Sequence, residues 1–149
     1  MTRAEGEEWI RRFEAGNDED KYRTSSNLSI MLRLMLHSHL RPAEIYKLTV
    51  GMYRLGYMYK ENVKIYDNTF KELNISEIDN EIIENHIKKY KLGLKDKLIT
   101  VSDRALRAKF QNMVSVYCTH EEGPEMVELY YAGIGKENKP MKRPKREQE

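Results

Sequence analysis

The chain has 149 residues, enough for one domain with a hydrophobic core and too few for two of ordinary size. Its 26 basic and 24 acidic side chains nearly cancel to a formal charge of +2, and the 34% charged content suits a well-solvated intracellular surface. No apolar run approaches the ~20 residues of a membrane span, MTRAEGEEW lacks the apolar segment of a secretory signal, and Cys118 is alone. A cytoplasmic, reducing setting without disulfides or membrane insertion is therefore expected.

Residues 2 to 15 read as a first helix, with Thr2 as cap, acids in the first turns and Trp9, Ile10 and Phe13 as a core-facing stripe. The polar, turn-rich segment 16 to 27 reads as a loop. Leu28, Met31, Leu32, Met35 and Leu36 recur at three- and four-residue steps and predict a helix over about 26 to 38. Pro42 favours the first position of a second helix carrying Ala43, Ile45, Tyr46 and Leu48, which sets Arg41 in the corner between the two. A guanidinium there needs an acceptor, because it cannot shed its charge. Pairing with Glu44, capping of the preceding carbonyls, or an external anion would each supply one.

After Leu55 the pattern alternates. Tyr57, Tyr59, Val63, Ile65, Phe70, Leu73 and Ile75 interleave with polar residues, predicting an antiparallel sheet over roughly 57 to 76 with a turn at Asp67-Asn68-Thr69. Ile78, Ile82, Ile83, Ile87 and Tyr90 return to helical spacing, with Asp79 as the expected N-cap and Gly93 as the stop. Lys88, Lys89, Lys91, Lys95 and Lys97 follow as a solvated helix end or a nucleic-acid footprint. Ser102 or Asp103 can cap a helix that buries Leu106, Phe110, Met113, Val114 and Tyr117, with Arg104 and Arg107 one turn apart and Lys109 nearby. Tyr130 and Tyr131 share a further helix with Met126, Val127 and Leu129, as core or interface residues in the plain reading. Four histidines and one cysteine provide no zinc spacing, so neither a metal nor another cofactor is expected. The tail from Lys136 onward, with Lys142 and Arg143 among its cations and two prolines, reads as extended and disordered.

Leu40-Arg41-Pro42 followed by Glu44 and Leu48, after an apolar helix, resembles the first signature box of the tyrosine recombinases and phage-type integrases. His39 stands where that family usually has glycine. Arg107 and Phe110 resemble the second box, with Arg104 in place of its histidine, as is also met in integrases of archaeal spindle-shaped viruses, whose two arginine boxes are likewise closely spaced. The resemblance covers about residues 26 to 136. It implies an α+β, mainly helical domain built around a small antiparallel three-stranded sheet, preceded by a helix and linker over 1 to 25 and followed by a basic tail over 137 to 149.

Two arginine forks around one phosphate can donate to its non-bridging oxygens and strengthen as charge grows in the transition state. In the family a tyrosine attacks phosphorus, and a hairpin lysine protonates the leaving 5′ oxygen. The resemblance therefore offers Arg41, Arg104 and Arg107 as phosphate ligands, Lys64 or Lys71 as the general acid, Tyr130 or Tyr131 as the nucleophile, and Lys136 as the third basic position. The expected nucleophile position falls in ENKPMKRPKREQE, which contains no tyrosine. The partner implied is duplex DNA, contacted by Arg41, Arg104, Arg107, Lys109, Lys136, Lys142 and Arg143, with a homo-oligomer assembled on it. Remaining open are a shortened integrase, a truncated catalytic domain, an inactive DNA-binding regulator of a virus or mobile element, and a protein-interaction module. For the catalytic lysines and arginines the bland alternatives are a solvated sheet edge and ordinary surface ion pairs.

Overall fold

In the computed structural model the described residues are 3–16, 23–58 and 71–132, without the side chains of Lys71, Glu128, Leu129, Tyr131 and Ala132. The elements in chain order are α1 (Arg3–Gly16), α2 (Arg23–His37), α3 (Pro42–Lys47), α4 (Val50–Leu55), β1 (Tyr57–Met58), β2 (Lys71–Glu72), α5 (Glu77–Tyr90), α6 (Asp103–Tyr117) and α7 (Glu122–Ala132).

The architecture follows from α2, which is apolar on nearly every side. Leu28, Ile30, Met31, Leu32, Leu34, Met35 and Leu36 are all buried, so no single face can satisfy it. It is accordingly packed against α1, α3, α5, α6 and α7. The amphipathic helices around it each contribute a stripe: Trp9, Ile10 and Phe13 from α1, Ile83 and Ile87 from α5, Leu106, Phe110 and Met113 from α6, Met126 and Tyr130 from α7. The N-terminal helix thus belongs to the same core as the rest.

Local chemistry sets the ends. Ser76, Thr49 and Ser102 accept from the backbone N–H three residues on and cap α5, α4 and α6. Lys91 and Gly56 close α5 and α4 in the left-handed conformation. Loop 93–98 is stitched across the α3–α4 junction by Val50 N–H to Asp96 O (2.9 Å), Gly51 N–H to Leu94 O (2.9 Å) and Leu98 N–H to Leu48 O (3.0 Å). At Gly51 a Cβ would stand 3.1 Å from the Leu94 carbonyl, so the close approach favours glycine. Inside the bundle, Asn27 accepts from Thr100 N–H at 2.7 Å and donates to Thr100 Oγ1 and the Arg23 carbonyl.

Several expectations are corrected. In place of a three-stranded sheet, the described residues form one antiparallel pair, Tyr57 opposite Glu72 and Met58 opposite Lys71. Residues 73 to 76 are not strand. The expected turn at Asp67-Asn68-Thr69 and most of the alternating run lie outside the described residues. The loop expected to last until Asn27 is already helical from Arg23, because Asn27 and Ser25 face the interior and their polar groups have partners there. Asp79 does not cap α5: Ser76 does, and Asp79 is the third helical residue, where its carboxylate turns inward to Arg33 and His37 of α2. Helix α5 ends at Tyr90 with Lys91, rather than Gly93, as its left-handed cap.

Candidate nucleic-acid interface

Arg41 precedes Pro42, whose fixed φ and missing N–H start α3, and has extended backbone geometry (φ −89°, ψ 155°). Its N–H donates to Glu44 Oε1 at 3.0 Å, while the residue itself is exposed and makes no ion pair among the described residues. The corner before it depends on His39, which takes φ 58°. That is the left-handed region open to glycine without strain, and it lets Leu40 N–H return to the Leu34 carbonyl at 3.3 Å. The imidazole gains little in exchange, since its Nδ1 is buried without a hydrogen-bond partner.

On α6, the Ser102 cap directs Arg104 and Arg107 outward along the first two turns. Arg104 is exposed and makes no ion pair among the described residues. Arg107 pairs with Asp103 at 2.9 Å, both about half exposed. Burial first, then the neighbouring Tyr130 hydroxyl and Asp103 carboxylate, push the Tyr46 phenol far above its ordinary range. The Tyr46 hydroxyl is buried and has no hydrogen-bond partner among the described residues.

Tyr130 is 1% exposed, and its ring stacks on Phe110 with centroids 4.2 Å apart. Of the two tyrosines offered as nucleophiles it is thus a core residue; Tyr131 lies in α7 with its side chain outside the described ones. Lys71 is in β2, its side chain likewise undescribed. Lys64, Lys136, Lys142 and Arg143 fall outside the described residues. Lys109 is half-buried and lines a groove against the first turn of α2.

Sequence reasoning passed over a buried ionic cluster. Arg33 donates from Nε and Nη2 to Glu14 (2.8 and 2.5 Å) and from Nη1 to Asp79 Oδ1 at 2.9 Å, joining α2 to α1 and α5. His37 Nδ1 lies 2.7 Å from the other Asp79 oxygen and Nε2 lies 3.2 Å from Glu7, while Ser29 donates to Glu14. Burial alone would raise the Asp79 carboxyl, but His37 and then Arg33 outweigh it and hold it below its ordinary value. Burial would lower Arg33, yet Glu14 and Asp79 more than reverse this. The one available signal was Arg33 and His37 four apart on an otherwise apolar helix. The cluster floors an open cleft of about 450 Å³ bordered by Arg3, Glu7, Arg11 and Ser76.

Comparison with protein-family models, curated proteins and solved structures gives no match for this chain. Among the described residues no helix is long and apolar enough to cross a membrane.

Proposed function

We propose that the chain binds duplex DNA by its phosphate backbone, as a recombinase-like module that holds DNA without cutting it. The observation that carries this reading is a division of roles. Arg41 and Arg104 stand exposed and free of ion pairs among the described residues, whereas Tyr130 is packed inside. Exposed arginines at helix starts can each present a fork of donors to a phosphate, and nothing must be broken first. A phenol stacked on Phe110 would have to leave the core before it met a phosphorus atom.

Fluorescence anisotropy with a short labelled duplex tests the binding. Contacts from Arg41, Arg104 and Arg107 predict a slope of log K against log salt of roughly −2.7, about 0.9 for each phosphate neutralised. Replacing Arg41 or Arg104 by Gln should flatten it by about one each. No binding at low salt removes the proposal. A nicked suicide duplex tests the absence of cleavage: no covalent adduct is expected, and an adduct lost in Tyr130→Phe or Tyr131→Phe would establish an active recombinase instead.

A further inference from the structure

Loop 91–97, KLGLKDK, follows α5 and is built as a fixed projection. Asp96 N–H donates to the Gly93 carbonyl at 3.0 Å, and the Asp96 carboxylate accepts from Gly93 N–H at 2.6 Å, which closes a tight turn. Its base lies along the α3–α4 junction. Thr49 and Lys97 face each other in an antiparallel bridge, and the Leu94 and Asp96 carbonyls accept from the N–H groups of Gly51 and Val50. Leu92 N–H returns to the Ile87 carbonyl at 3.0 Å, and Leu98, just beyond the turn, is fully buried. Both ends are therefore anchored, and the tip is held by its own hydrogen bonds.

This scaffold displays one leucine among cations. Leu94 is 63% exposed. Lys91, Lys95 and Lys97 stand exposed on either side of it in the chain, and Lys47, exposed at the end of α3, joins them, its carbonyl accepting from Lys97 Nζ at 3.3 Å. None of the four lysines makes an ion pair among the described residues. Within the loop the single aspartate has its carboxylate turned back onto Gly93 N–H. Lys91 also takes φ 53°, the left-handed conformation that glycine adopts without penalty, so a cation occupies a position where the backbone favours a residue with no side chain.

A leucine flanked by cations matches a surface on which charge and apolar area alternate at short range. The backbone of a duplex is such a surface, with phosphates carrying the charge and deoxyribose faces between them. A bilayer is the poorer match, because one leucine supplies far less apolar area than the helix-long face that holds a protein at a membrane. We infer that loop 91–97 is a second contact with duplex DNA. Lys47, Lys91 and Lys95 neutralise backbone phosphates, Leu94 rests on the deoxyribose between them, and Lys97 positions the end of α3 against the loop. The inference rests on the DNA binding proposed above and extends it from the start of α3, at Arg41, to the end of that helix.

The salt dependence of duplex binding reads the contact. Three phosphates beyond those met by Arg41, Arg104 and Arg107 steepen the slope of log K against log salt from roughly −2.7 to roughly −5.4. The Lys91→Gln, Lys95→Gln double variant should lose about two units of slope, and a further Arg41→Gln about one more. Leu94→Ala should weaken binding on the order of fivefold at every salt concentration and leave the slope unchanged, because the side chain carries no charge. Its thermal midpoint should match that of wild type, as befits a side chain mostly in solvent; a lowered midpoint would show that Leu94 is packed, and overturns its role. A wild-type slope near −2.7 that flattens in Arg41→Gln but not in the lysine double variant overturns the loop contact and leaves the DNA function standing. A wild-type protein that ignores the duplex removes both. Loop variants that hold the duplex as tightly as wild type but no longer sediment with phosphatidylserine-rich vesicles assign the loop to a membrane surface and overturn the inference.

Discussion

Replacing Arg33 by Met removes the charge that joins three helices while keeping most of the side-chain volume. Arg33 is 15% exposed and Asp79 1%, so the carboxylate left behind cannot be rehydrated without opening the bundle. Removing one partner of such a buried pair costs about 3–5 kcal/mol. His37 still contacts Asp79, and Glu14 is 21% exposed, which places the expected loss near the lower end, about 3 kcal/mol. At roughly 2–4 °C per kcal/mol for a domain of this size, the thermal midpoint should fall by about 6–12 °C. Urea unfolding read in parallel by far-ultraviolet circular dichroism and by Trp9 fluorescence is the assay. Trp9 is fully buried on α1, so the two signals moving together show that the cluster secures the whole bundle, not the first helix alone. The pH dependence has a defined sign. The Asp79 carboxyl is lowered in the folded state, so its contribution is present above about 3.8 and fades as the pH falls through the folded value. The gap between wild type and variant should accordingly narrow in acid. A variant within 1 kcal/mol of wild type at neutral pH, or a gap that widens below pH 3.8, would refute the account.

Other outcomes follow from single residues. His39→Gly should raise stability by roughly 0.5 kcal/mol, the left-handed penalty relieved less the backbone entropy glycine adds, whereas His39→Ala should gain nothing; thermal melts of the two decide. His86 donates from Nε2 to the Leu98 carbonyl at 2.7 Å and is kept neutral, mainly by burial, so its affinity for protons is lowered on folding. Stability should fall as the pH drops below about 6.5, where only the unfolded chain takes up that proton, and His86→Gln should show a shallower fall in urea midpoint across this range. Burial and then Glu122 push the Cys118 thiol up to about 12, so a disulfide reagent at pH 8 should react far more slowly with the native protein than with the urea-unfolded one. Equal rates would show that Cys118 is not held in that environment.

The chain's own order already announced most of the helices. Apolar residues at three- and four-residue steps, Pro42 at a helix start and Ser102 as a cap are local signals, and α2, α3 and α6 form where they stand. Trp9 and Phe13 could be assigned to the core for the same reason, whereas Arg41, expected in a helix corner where its guanidinium would need an acceptor, is exposed. The three-stranded sheet was misjudged because alternation of apolar and polar residues shows a tendency to pair without supplying a partner. Among the described residues the pairing is only two residues long on each strand.

What packing alone decided is which charges meet. Asp79 looked like a cap because its residue type and position suited one, yet Ser76 takes that role and frees the carboxylate for Arg33 and His37, more than forty residues earlier. With 24 acids in the chain, nothing local selects the two that receive Arg33. Likewise Arg23 and Tyr90 stand 67 residues apart in the chain, and only the packing of α2 against α5 sets the guanidinium over the ring. Helix formation depends on neighbours a turn apart, whereas an ion pair such as Arg33 with Asp79 depends on faces brought together from distant parts of the chain.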